Sequence, residues 1–173
     1  MRHGLRVILL LAASGMAVAA GPSSPVPDLA GRYSHRFANG LVNGERYMSE
    51  DIVEIVPVDA SHAYVRMELA FFNGHSCSLA GIARAEGSAL VYHEPAAATV
   101  PGEHCVLTLK RDGTKLRWSD GEGSCQSHCG ARGGVSNGDL PWASRRPITY
   151  LPRLRGSREY RDALDAWRKE GSK

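Results

Sequence analysis

The chain has 173 residues, 21 basic against 18 acidic side chains, four cysteines and a hydrophobic content of 43%. This length suits one domain with a core of its own. The near balance of charge excludes the strongly basic composition of a nucleic-acid binder.

The N-terminus sets the compartment. Arg2 and Arg6 precede the apolar run Val7 to Ala13, and Ala17-Val18-Ala19 or Val18-Ala19-Ala20 offers small residues for cleavage. Residues 1–20 therefore read as a secretory signal, too short for a stable membrane anchor. The expected mature protein is periplasmic or secreted. No cysteine follows the apolar run, so no lipid anchor is expected. Without Arg2 and Arg6 the charge is 19 basic against 18 acidic, unevenly spread. Residues 21–144 hold 10 basic and 14 acidic side chains, and residues 145–173 hold 9 and 4.

Residues 21–30, rich in Pro and Ser, read as a flexible lead into a β domain over 31–144. Gly31 to Phe37 and Asp51 to Val58 are predicted strands, with turn dipeptides Asn39-Gly40 and Asn43-Gly44 between them. From Ala63 to Phe71 the period is two, with Val65, Met67, Leu69 and Phe71 on one face. Asn73-Gly74 follows, a dipeptide suited to a hairpin because both residues tolerate positive φ. The chain returns through Ser76 to Glu86, then Ser88 to His93. Cys105, Leu107 and Leu109 alternate, and Asp112-Gly113 turns the chain into Thr114 to Trp118. Ala96 to Gly102 and Gly130 to Pro141 read as loops. The fold class is mainly β, an antiparallel meander forming a small barrel or sandwich of six to eight strands.

Residues 145–173 break this period. Pro147 and Pro152 with Ile148, Tyr150, Leu151 and Leu154 suggest an extended connector. Ser157 is a plausible N-cap for a C-terminal α-helix whose Tyr160, Ala163, Leu164 and Trp167 share one face. That helix is expected to dock on the β domain.

Chemistry concentrates in Ser124-Cys125-Gln126-Ser127-His128-Cys129-Gly130-Ala131-Arg132-Gly133-Gly134. In an exported protein its cysteines belong in disulfides. Four cysteines allow three pairings. Cys77 with Cys105 and Cys125 with Cys129 is the pairing expected here, since the local pair closes at least entropic cost and both strand cysteines lie on an apolar face. A zinc site from Cys125, Cys129 and His128 with His75, Cys77, His104 and Cys105 is an alternative, with poor ligand spacing. So is a reactive thiol beside His128, without the Cys-x2-Cys of redox motifs. Asp120 and Glu122 flank a glycine, which reads as a polar turn more readily than as a glycosidase acid pair. There is no His-Glu-x-x-His, Gly-x-Ser-x-Gly or phosphate-binding glycine loop, so no enzyme and no cofactor is expected.

Arg132, exposed by flanking glycines, is read either as a partner contact or as a salt bridge fastening the loop. His128, Gln126 and Glu122 complete the candidate partner-binding set. In size, compartment and architecture the chain resembles the periplasmic lysozyme inhibitors of Gram-negative bacteria. That resemblance implies an envelope protein that binds and blocks another protein, such as a cell-wall hydrolase or toxin, with Gly121 to Gly134 as the inserting loop. None of that group's inhibitory residues is carried over. A small-molecule carrier with its pocket inside the barrel is the alternative. An uncharacterised hydrolase or zinc-dependent activity is the second alternative, and it calls for two or more of His75, His104, His128, Asp120 and Glu122 to converge in one cleft.

Overall fold

The computed structural model describes residues 24–96 and 104–172. The expected signal over 1–20, the first residues of the lead and nearly all of the loop at Ala96 to Gly102 lie outside them. Among the described residues eight strands, β1 (Gly31–Gly40), β2 (Arg46–Pro57), β3 (His62–Ala70), β4 (Ser76–Glu86), β5 (Ala89–His93), β6 (Val106–Asp112), β7 (Lys115–Ser119) and β8 (Gly138–Pro141), form one sheet. Every neighbour pair is antiparallel and the spatial order is the sequence order. The last strand comes back beside the first. Just beyond it the Arg32 and Arg146 main chains exchange both hydrogen bonds, at 2.9 and 2.8 Å, so the sheet is a nearly closed barrel. Closure covers the edges that an open sheet would expose.

Alternation builds the core as the sequence predicts. Val53 and Ile55 of β2, Val65, Met67 and Leu69 of β3, Leu107 and Leu109 of β6, and Leu116 of β7 point inward with Tyr33, Tyr92 and Trp118. The meander is local in sequence, and most of its reversals are short turns. Asn73 and Gly74 carry the β3–β4 reversal at φ 61° and 72°, the left-handed backbone for which that dipeptide is suited. Of the two turn dipeptides expected between β1 and β2, Asn43-Gly44 lies in the turn, with Gly44 at φ 89°. Asn39-Gly40 stays in β1, where Asn39 Nδ2 donates to Ser49 Oγ (3.0 Å) and the Phe71 carbonyl (2.9 Å), and residues 41–45 make the turn.

β2, β3 and β4 are buried on both faces only where the C-terminal segment crosses them. Outside the barrel, Val56, Tyr64 and Ile82 pack beneath α2 (Leu151–Arg155) and α3 (Arg158–Glu170), meeting Leu154, Tyr160, Leu164 and Trp167. Ser157 caps α3 as predicted, its hydroxyl accepting the Tyr160 N–H. The Tyr64 and Tyr160 rings lie 4.7 Å apart at 56°, an arrangement that adds about 0.5–1.5 kcal/mol beyond area burial.

Three sequence readings are corrected. The lead is not flexible throughout: Pro25–Leu29 form a short helix, α1. Ser24 Oγ accepts the Val26 N–H, proline opens the helix where no donor is needed, and Val26 and Leu29 are buried in the core. The loop expected at Gly130 to Pro141 contains β8, which pairs with Lys115–Trp118 and buries Leu140. Four residues bounded by Gly and Pro are too few to show a period. The expected extended connector contains the helical turn α2, with Pro152 near its start, again where a missing N–H costs nothing.

Candidate functional site

The expected cysteine pairing is overturned. Cys77 of β4 bonds Cys129 and Cys105 bonds Cys125, with Cα–Cα distances of 4.0 and 4.4 Å. Both disulfides join the loop to the barrel wall; neither is local. The reason lies in the chain path. Cys125 and Cys129 flank a single 3-10 turn, Gln126–His128, which aims one at Cys105, just before β6, and the other at Cys77 of β4. The Gly130 N–H then donates to the Ser76 carbonyl at 2.8 Å, laying Cys129 against Cys77 as a strand-like bridge. With all four sulfurs oxidised, no thiolate remains for the zinc or reactive-thiol alternatives.

Between the disulfides the loop is held at many points. Asp120, only 3% exposed, accepts the Cys125 N–H through Oδ2 at 3.1 Å, while its Oδ1 is buried without a hydrogen-bond partner among the described residues. Ser124 Oγ accepts the Val106 N–H at 3.1 Å and donates to the Asp120 carbonyl at 2.9 Å. Gln126 Nε2 donates to the Gly133 carbonyl at 2.9 Å. Gly133 presses on the disulfide: a Cβ there would stand 2.8 Å from Cys77 Sγ and 3.3 Å from a Phe71 ring carbon. Its glycine is a demand of packing.

The four candidate contact residues divide by role. Arg132 is exposed and makes no ion pair among the described residues, so the fastening salt bridge is not formed. Glu122 is exposed on the turn before Cys125 and likewise carries no ion pair among the described residues. Gln126 is exposed, yet its amide is spent on holding Gly133. His128 is half-buried, with Nε2 3.1 Å from Glu94 Oε1 but out of line for a hydrogen bond. Glu94 is itself tied to Cys105, its Oε2 accepting the Cys105 N–H at 3.3 Å. Beside the loop, the turn that begins at Phe71 carries Phe72, 55% exposed, and its Asn73 Oδ1 holds the N–H of exposed Val42.

Neither the acid pair nor a metal cluster is formed among the described residues. Asp120 is buried on the Cys125 amide while Glu122 points to solvent, so they form no acid pair. His104 is exposed, and no three His, Cys, Asp or Glu side chains among the described residues are placed to hold a metal ion. The barrel interior, where a carrier would keep its ligand, is filled by Tyr33, Tyr92, Trp118 and the inward leucines.

Two features escaped the sequence reading. Glu54 of β2 is fully buried on the outer face of the barrel. It takes Arg66 Nη1 at 3.1 Å and the Tyr150 hydroxyl, with Arg32 Nε at 3.8 Å, and so ties the C-terminal segment to the wall. A lone acid in the doubly apolar run Val53-Glu54-Ile55-Val56 was the available signal. The second is a cleft of about 670 Å³ outside the barrel, between α3 and the β4–β5 wall, lined by Ala80, Ile82, Tyr92, His128, Ala163 and Trp167 among others. No sequence pattern marks it, because strand and helix are 80 residues apart in the chain.

No family model, curated protein or solved structure matches this chain.

Proposed function

We propose that this is an exported, non-enzymatic binding protein of the cell envelope that engages a protein partner through the loop Gly121 to Gly134, as an inhibitor of a cell-wall hydrolase or toxin would. One observation carries the reading. The loop is bonded to the barrel at Cys125 and at Cys129, yet it presents Arg132 to solvent with no ion pair among the described residues. A prefixed loop surrenders little conformational entropy on binding, which is how rigid inhibitors gain affinity. An exposed arginine without an ion pair is a residue type from which interface hot spots are built. Two disulfides also suit an oxidising compartment.

The test is clearing of peptidoglycan by a panel of lysozymes, with the mature protein and with the double variant Arg132→Glu, Phe72→Asp. Inhibition of at least one enzyme, weakened about tenfold or more in the variant at unchanged melting temperature, supports the reading. Equal inhibition by the variant rejects the loop as the contact. Absence of inhibition across the panel rejects the hydrolase target.

A further inference from the structure

The wall of the barrel opens between β4 and β5, and α3 overhangs the opening. β4 is 11 residues long, but β5 pairs with it only from Ala83 to Glu86. At its other end the strand-like bridge to Cys129 stops at Cys77. Between these two contacts Ser78 to Ile82 pair with β3 alone. Antiparallel strands turn alternate residues' main-chain groups to opposite edges. Odd-numbered positions bond towards β3, as Ala85 does to the Ser61 carbonyl, and the even-numbered Ser76 bonds outward to Gly130. Ala80 therefore turns its N–H and C=O into the gap, where no strand among the described residues lies beside it. Behind the gap the Tyr92 ring covers Gly81 so closely that a Cβ there would meet it at 2.1 Å, which seals the core from the cleft.

The walls of the cleft are chemically sorted. Its floor is apolar, with Ala80, Ile82 and Tyr92, and Ala163 and Ala166 keep the overhanging helix face narrow beside Trp167. Its rim is acidic. Glu159, Asp162 and Glu170 lie along this flank of α3 with Arg158, while Arg161 and Arg168 fall on the opposite flank. Glu159 also takes Arg66 Nε at 3.1 Å, an arginine it shares with Glu54 and Glu68, and Glu170 accepts the Ala96 N–H at 2.8 Å, so the carboxylates still outnumber the cations here. Arg158 is already paired with Asp162 at 3.3 Å. A volume of about 670 Å³ falls within the roughly 300–1,000 Å³ of ordinary ligand sites.

We infer that this cleft takes an extended, basic peptide segment of a partner protein, which pairs by main-chain hydrogen bonds with Ala80 on the open edge of β4. An apolar side chain enters between Ile82, Tyr92 and Trp167, and lysine or arginine side chains reach the carboxylates of α3. The main-chain donor and acceptor supply affinity without sequence, and the alternating apolar and basic positions supply selection. Charge complementarity decides the sign of the ligand, since an acidic segment would meet three carboxylates.

The probe is a short peptide of alternating lysine and valine, acetylated and amidated at its ends. Its glutamate–valine counterpart and a copy N-methylated on the main chain are the controls. Backbone amide exchange and the Trp167 indole signal are followed by NMR on the intact mature protein. Saturation with the lysine–valine peptide is expected to slow exchange at the Ala80 amide about tenfold or more and to shift the Trp167 indole. Binding should weaken about tenfold with the N-methylated copy and with Ala166→Tyr, which narrows the cleft from its rim. Asp162→Lys with Glu170→Lys should weaken it likewise, and the glutamate–valine peptide should not bind. No protection of Ala80 at millimolar peptide, equal binding of the acidic peptide, or binding indifferent to Ala166→Tyr overturns the inference. Protection of Ala80 that grows with protein concentration and no peptide also overturns it, in favour of a second copy of the chain. Failure here leaves the loop reading standing, because peptidoglycan clearing measures that one separately.

Discussion

Because each disulfide joins the loop to a different part of the wall, removing cysteines in different pairs has sharply different consequences. The Cys77–Cys129 bond spans 52 residues and the Cys105–Cys125 bond 20. Loop-closure entropy in the unfolded chain assigns them about 4 and about 3 kcal/mol. Cys105→Ala with Cys125→Ala should therefore lose about 3 kcal/mol, and Cys77→Ala with Cys129→Ala about 4. Each variant should contain no free thiol, since its remaining two cysteines are still bonded. Cys125→Ala with Cys129→Ala is different. It strands Cys77 and Cys105, removes both constraints, and forfeits up to about 7 kcal/mol, a large share of the ~5–15 kcal/mol by which domains are stable. Urea unfolding reads the free energies, with a rise in m-value as the unfolded chain loses its cross-links. Thiol counting under denaturing conditions reads the connectivity. Two free thiols in the Cys105/Cys125 variant, or none in the Cys125/Cys129 variant with stability only slightly reduced, would refute the non-local pairing and restore the local one.

Three further outcomes follow from the packing. Gly81→Ala puts a methyl group 2.1 Å from the Tyr92 ring, so the ring or strand must shift; a loss of about 1–3 kcal/mol in thermal unfolding is expected, and an unchanged melt would mean the ring is free to move. Glu54→Ala leaves Arg66 without its buried partner. Because the Arg66 side chain is 26% exposed, the loss should be about 1–3 kcal/mol rather than the ~3–5 of a wholly buried pair, with faster amide exchange in α2 and α3 as its signature. At high pH, burial pushes the Tyr33 phenol up to about 12, against the charges of Arg145 and Arg111, and burial also raises Tyr64 and Tyr92. The unfolded phenols ionise near 10, so this stabilisation is whole below that pH and is lost as pH rises from about 10 to 12. Tyr33 alone accounts for about 2–3 kcal/mol. Phenolate absorbance should rise together with the loss of circular dichroism; ionisation of these rings ahead of unfolding would contradict their burial.

The features that were legible are those written in local periods. Val65, Met67 and Leu69 alternate because a half-buried strand demands it, Asn73-Gly74 marks a reversal because both residues accept positive φ, and Ser157 announces α3 because a hydroxyl satisfies a free N–H. From these the antiparallel β class and the C-terminal helix followed. The loop from Cys125 to Gly134 could also be singled out, since cysteine and glycine density is visible without coordinates.

What the tertiary structure alone decided is which distant pieces meet. Cysteine partners depend on where a 3-10 turn aims two side chains, and local spacing cannot encode that direction. β8 is too short to carry a period and exists because β7 gives it hydrogen-bond partners. Arg132 is an unpaired charge only because no carboxylate among the described residues comes within reach of it. The cleft arises where a helix from the end of the chain crosses the one stretch of β4 that β5 leaves uncovered. Sequence determines such contacts through the whole fold, by burial and closure, and therefore shows them nowhere in particular along its length.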